Sequence, residues 1–218
     1  MFDFLDVTHV DLSSQALDTS GNQRIFFDLE GSLTTKGDIL QLAAITTDWD
    51  FNITDVFNMY FKNNKPIDEK EFSVHKISEE FLKTNAQGHF TEMLSETPLY
   101  PSKPTMFISY TTFDVSRIQK ELEEYNLPLI QFGEEKADLA FIPKEGINCH
   151  FNAFRLGKKK GVLLAQELGE EVFNSIFKEL EAFGEFTSKG NHDALFDTVM
   201  LLALCRRLGN VKNTGQTE

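Results

Sequence analysis

Between residues 24 and 61 three short apolar runs follow one another with only turn-length gaps, and this spacing constrains the fold more than any other feature of the chain. The runs are "RIFFD" (24–28), "DILQLAAITTDW" (38–49) and "VFNMYF" (56–61), joined through "TTKG" and "DFNITD". Continuous apolar stretches of this length suit buried strands, and tight turns between them predict an antiparallel meander. "PTMFISY" (104–110) reads as a fourth strand, and "VSRIQKELEEYN" (115–126) as an amphipathic helix with Val115, Ile118 and Leu122 on one face. "SEEFLKTN", "FTEMLSE" and "EVFNSIFKELEAF" also read as helices, the first two opened or preceded by capping residue types. "HDALFDTVMLLALCRRLGN" (192–210) is a closing helix, apolar nearly all round and therefore buried, with Arg206, Arg207 and Gly209 as its stop signal. Strands first, then strands alternating with helices, predict an α/β domain: a mixed central sheet flanked by helices.

The 218 residues suffice for one domain with a sizeable core. Residues 1–23, ending in the turn-rich "DTSGNQ", read as an N-terminal extension, 24–210 as the domain and 211–218 as a disordered tail. No run of about 18 apolar residues occurs, so no membrane span is expected. The acidic start "MFDFLDVTHVDL" lacks the basic segment of a secretory signal or transit peptide. Cys149 and Cys205 lack metal-ligand spacing and are expected as free thiols, which with the absent signal predicts a cytoplasmic protein. The net charge of −13, from 34 acidic and 21 basic residues, weighs against gripping long nucleic acid through its backbone. It leaves open an enzyme that holds one strand end through metal ions.

The chemistry turns on "FFDLEGSL" (26–33), where Asp28 and Glu30 close an apolar strand. In a haloacid-dehalogenase-type phosphatase, Asp28 would be a covalent nucleophile, with Ser109 available as the later strand-end hydroxyl. That reading wants a second Asp in place of Glu30 and a late Gly-Asp acidic pair, and a helix after the first motif; the chain offers none of these. The alternative needs four acids and a histidine, and all are present. Asp28 and Glu30 alternate along a strand and so share a face. Asp114 sits at a strand–helix junction in "SYTTFDVSRIQKEL", and His192 and Asp197 open the last helix in "NHDALFDTV".

With these motifs in this order over about residues 24–210, the chain resembles the DEDDh group of 3′→5′ exonucleases, which are DnaQ-like with an RNase H-like fold. The segments carrying the resemblance are "FFDLEGSLTTKGDILQLAAI", "VHKISEEFL", "FISYTTFDVSRIQKEL" and "NHDALFDTVMLLALCRRL". Asp193 stands where a tyrosine-type subgroup has Tyr, which points to the His subgroup. The resemblance implies that Asp28, Glu30, Asp114 and Asp197 hold two divalent ions, Mg²⁺ or Mn²⁺, with His192 as general base. Hard oxygen ligands select such ions, and a pair about 3.5–4 Å apart serves phosphodiester hydrolysis. Four carboxylates clustered without metal are expected to repel and to hold protons.

The implied substrate is a single-stranded DNA or RNA 3′ end, in the manner of a proofreading subunit. Gly31 and Ser32, in place of the family's Thr-rich continuation, are expected near the terminal nucleotide. Arg155, Lys158 and Lys159 in "RLGKKKG" are expected either as a solvated charge run or as a phosphate-steering patch. His75, in "VHKIS", lies outside the acidic set and is expected to be structural. The apolar residues Phe2, Phe4, Leu5 and Val7 suggest contact with a protein partner such as a polymerase. The same fold could alternatively serve as a binding module with little turnover. Residues 137–152 carry no assignable pattern.

Overall fold

The computed structural model describes residues 22–32, 38–133, 135–136, 148–153, 170–184, 186 and 192–214. The three apolar runs form strands β1 (Gln23–Gly31), β2 (Ile39–Thr47) and β3 (Ile53–Tyr60), paired antiparallel as expected. Strand β4 (Thr105–Ser109) then lies parallel to β1, followed outward by β6 (Cys149–Asn152) and the two-residue β5 (Glu135–Lys136). Among the described residues the strand order is β3-β2-β1-β4-β6-β5, a mixed sheet as expected. Strands β5 and β6 fall at the edges of the segment whose sequence carried no strand pattern. Four and two residues are too few to show period-2 alternation.

Because side chains alternate along a strand, β1 feeds two cores at once. Phe26, with Ala43, Ile45, Met106 and Ile108, faces the helix α6 (Ala194–Thr214), whose Leu195, Val199 and Leu202 are fully buried there. Ile25 and Phe27, with Leu42, Ala44 and Phe107, face the opposite layer, where helix α4 (Thr112–Glu124) contributes Ile118 and Leu122. The period-3.6 face read from Val115, Ile118 and Leu122 is therefore the face that packs. Helix α5 (Glu170–Leu180) lies on the α6 side, with Ile176 and Leu180 in that core.

Three short helices follow β3: α1 (Glu69–His75), α2 (Glu79–Asn85) and α3 (Phe90–Met93). α1 was not anticipated, although its signal is in the sequence. Asp68 and Glu71 form a reciprocal capping box around its first turn. At its other end buried His75 accepts the Ile77 N–H on Nδ1 at 3.0 Å, which bears out its structural reading. α6 runs to Thr214, past Gly209, the residue expected to stop it. A glycine inside a helix costs about 1 kcal/mol, which a well-buried preceding stretch outweighs. Cys149 and Cys205 are both buried in the core against α6. No helix among the described residues is long and apolar enough to cross a membrane.

Candidate active site

The face of β1 that carries Phe26 continues past the core, and the next two residues on it are Asp28 and Glu30. At that edge the chain folds back on itself. The β1–β2 register shifts between Glu30 and Gly31, and the Ser32 N–H donates to the Asp38 carbonyl at 3.2 Å. Gly31 is needed there for space: a Cβ would stand 2.3 Å from the Asp38 carbonyl oxygen. Gly31→Ala must displace backbone at the strand end and is expected to cost about 1–3 kcal/mol, read as a fall in Tm. The Ser32 hydroxyl donates to the Glu71 carboxylate of α1 and so joins that helix to the strand end. Gly31 and Ser32 both border the cleft described below.

Asp114 reaches the same edge from β4. The β4–α4 turn is fixed by Thr111, whose side chain caps α4 by accepting the Phe113 N–H at 3.1 Å. Fully buried Ser109 donates its hydroxyl to the Thr111 carbonyl, and its oxygen lies 2.9 Å from His150 Nε2 on β6. Ser109, the hydroxyl a phosphatase would use, is thus a buried brace of the turn. After Asp28 and Glu30 the chain enters two antiparallel strands, where the phosphatase pattern wants a helix.

His192 and Asp197 arrive from the start of α6. Asp193 caps this helix, its Oδ1 accepting the Leu195 and Phe196 N–H groups at 3.1 and 3.3 Å. His192, just before the cap, is exposed and left-handed, with φ 62°. Its backbone N–H donates to the Asp197 carboxylate. A non-glycine residue pays for this conformation, and such outliers gather at functional sites. The turn brings one ligand atom each of Glu30, His192 and Asp197 within 4.8 Å of one another. All five expected residues line one cleft of about 290 Å³.

The electrostatics are those of crowded acids. Burial first, then Asp114, Asp197, Glu30 and Asp193, raise Asp28 well above the usual carboxylate range. Burial, then Asp197, Asp193 and Asp114, push Glu30 up to about 8. Asp114 is raised to about 7 by burial and Asp197, against the pull of backbone N–H groups. Burial and Asp193 raise Asp197 to about 7, opposed by the His192 N–H. Among the described residues no hydrogen-bond donor is directed at the Asp28 or Glu30 carboxylates. Crowding four acids into one cleft without such donors is costly unless something cationic completes the group. The donor set is almost all hard oxygen, which fits divalent ions of the Mg²⁺ and Mn²⁺ kind.

Arg117 and Phe113 are among the cleft residues that escaped the sequence reading. Arg117 is the one Lys or Arg among the described lining residues; it is buried, one turn after Asp114 and 3.8 Å from Glu121. Phe113, beside Asp114, leaves 46% of its surface exposed at the cleft. The pair "FD" before a helix is too common to mark it. Arg155, Lys158 and Lys159 lie outside the described residues.

A mixed sheet with two layers of helices, carrying four acids and a histidine at one sheet edge, defines an RNase H-like nuclease domain of the DEDD type. Residues 25–205 match the family described as exonuclease, of the RNase T kind. The chain belongs to that family, and residues 25–205 are an exonuclease domain. No curated protein sequence matched. Among solved structures, the zinc-bound complex of E. coli exonuclease I with single-stranded DNA has a TM-score of 0.59 at 14% identity, covering 88% of this chain and 41% of that one. E. coli exonuclease I with a dA16 oligonucleotide gives 0.59 at 15%, over 88% and 42%. A further exonuclease I structure, described as suggesting how processivity is achieved, gives 0.57 at 16%, over 90% and 44%. The chain thus spans about two-fifths of those proteins' length, and at these identities the likeness concerns the fold.

Proposed function

We propose that this chain is a divalent-metal-dependent 3′→5′ exonuclease that removes nucleotides from single-stranded DNA or RNA ends, with His192 as general base. The observation that carries the reading is the convergence of Asp28, Glu30, Asp114, His192 and Asp197 on one cleft from three separate elements. Asp28, Glu30, Asp114 and Asp197 would hold the metal. A pair of Mg²⁺ or Mn²⁺ ions supplies charge stabilisation to the attacking and leaving oxygens and makes water acidic enough to react near pH 7.

In the reaction, water oxygen forms a bond to the terminal phosphorus while the phosphorus–O3′ bond breaks, its electron pair leaving on O3′, which takes a proton from solvent. His192 takes the water's proton on its imidazole, exposed at the mouth and within reach of Glu30 and Asp197. The His192 backbone N–H holds Asp197 while the side chain stays free to move that proton. Phe113 offers the terminal base an aromatic face. Stacking on such a face is worth about 1–3 kcal/mol per base. Phe113→Ala is therefore expected to raise KM for an oligonucleotide about 5–100-fold while shifting kcat less, as steady-state kinetics will read.

The reading is tested by end-labelled oligonucleotides with Mn²⁺ or Mg²⁺ and a chelator control, beside a generic phosphate ester. For partners, residues 1–20 are proposed to contact another protein such as a polymerase, since their apolar side chains have no part in the motifs. Their deletion is expected to leave oligonucleotide hydrolysis intact. A folded but inactive truncation would contradict that division.

A further inference from the structure

Antiparallel registers place Glu30 opposite Gln41, and Gln41 opposite Tyr60, so one row of side chains crosses three strands on a single face. Only the first of the three belongs to the acidic set. Gln41 is fully buried mid-sheet, where a polar side chain needs its partners made. Its Oε1 accepts the N–H of Ala194, the first residue of α6, at 3.2 Å. Its Nε2 donates to Asn58 Oδ1 at 2.9 Å. Tyr60 donates its hydroxyl to the other oxygen of the α6 cap, Asp193 Oδ2, at 3.5 Å. The start of α6 is thus bonded to the row that ends in Glu30, and His192 lies two residues before the bonded N–H.

Resting on the exonuclease reading, we infer that Gln41, braced by Asn58 and assisted by Tyr60, is a positioning residue that sets the spacing of His192 and Asp197 from Glu30. The row fixes Glu30 through the sheet and the α6 start through side-chain bonds, so the two halves of the site share one rigid element. Without the amide, the Ala194 N–H loses its buried acceptor and the helix start is free to shift. A shift of about 1 Å at such a site costs on the order of 100-fold in rate. Outer-shell hydrogen bonds of this kind typically contribute 10–100-fold to metal affinity or activity.

The test uses the full chain and reads kcat, oligonucleotide KM and Mn²⁺ affinity by calorimetry. Gln41→Met, similar in length but without the amide, is expected to lose about 10–100-fold in kcat and about 10-fold in Mn²⁺ affinity. KM is expected to stay within about threefold, because Gln41 does not line the cleft. Leu122→Val, in the core on the opposite face, is the control for lost stability; it is expected to leave all three readouts unchanged. A milder pair covers the case in which Gln41→Met fails to fold. Asn58→Leu removes the brace and is expected to lose about 3–10-fold in kcat, whereas Asn58→Asp keeps an acceptor and stays within about threefold. The inference is overturned by a folded Gln41→Met with wild-type kcat and Mn²⁺ affinity, by equal losses in Leu122→Val, or by identical behaviour of the two Asn58 variants. A wild type that neither binds Mn²⁺ nor cuts overturns the exonuclease reading and this inference with it. An active wild type beside an unaffected Gln41→Met overturns this inference alone.

Discussion

Asp28→Ala and Asp197→Ala are each expected to abolish turnover, by at least about 10³-fold, and to weaken Mn²⁺ binding in calorimetry. Each removes one carboxylate from a set of four that share a cleft, so the remaining acids cannot complete the group. The same acids make the metal-free protein less stable near neutrality. Asp114 and Asp197 sit near 7 and Glu30 near 8 when folded, all raised mainly by burial, against about 4 when unfolded. Across that interval the folded state binds more protons than the unfolded state. Their contribution is therefore fully present below about pH 4 and lost as pH rises to about 8. The metal-free protein is expected to melt lower at pH 8 than at pH 5, and saturating Mn²⁺ to reverse this by mass action. Asp28→Asn, which removes one crowded ionisable carboxyl at nearly constant size, is expected to raise the metal-free Tm at pH 8. A metal-free Tm that climbs from pH 5 to pH 8 would show that the acids are not crowded as described.

His192→Ala is expected to lose about 10²–10⁴-fold in kcat, the usual worth of a positioned base, while keeping single-strand binding and nearly all metal affinity. The work of a base is done in the transition state, so ground-state affinity changes little when it is removed. Near-wild-type cutting by His192→Ala would make the residue structural. The His subgroup assignment would then fail.

The two halves of this molecule were unequally legible. Each of the first three strands is eight or nine residues long and shows its apolar run, and α4 shows its face at helical spacing, so both were read correctly. The five candidate residues stand out in the sequence for a different reason: their order and settings match a family pattern, and the fold places all five along one cleft. Gln41 was invisible because it lies in a strand that is otherwise apolar, "ILQLAAITT", where a polar residue has no local mark. Its role depends on Ala194, 153 residues away. Phe113 and Arg117 were hidden likewise, since an exposed phenylalanine and a buried arginine depart from what each residue type usually does. Strand β6 reads as part of an unpatterned stretch because tertiary pairing with β4, rather than local periodicity, makes it a strand. The extension of α6 to Thr214 shows the reverse error, a local stop signal overridden by packing.

The central claim is that these five residues form a metal-dependent site cutting from the 3′ end. A 5′-labelled single-stranded oligonucleotide incubated with Mn²⁺ tests it most directly. The expected result is a ladder shortening one nucleotide at a time from the 3′ end, with mononucleotides released, all of it abolished by EDTA and by Asp28→Ala. A substrate left at full length with Mn²⁺ or Mg²⁺, or a ladder that persists in Asp28→Ala, would contradict it.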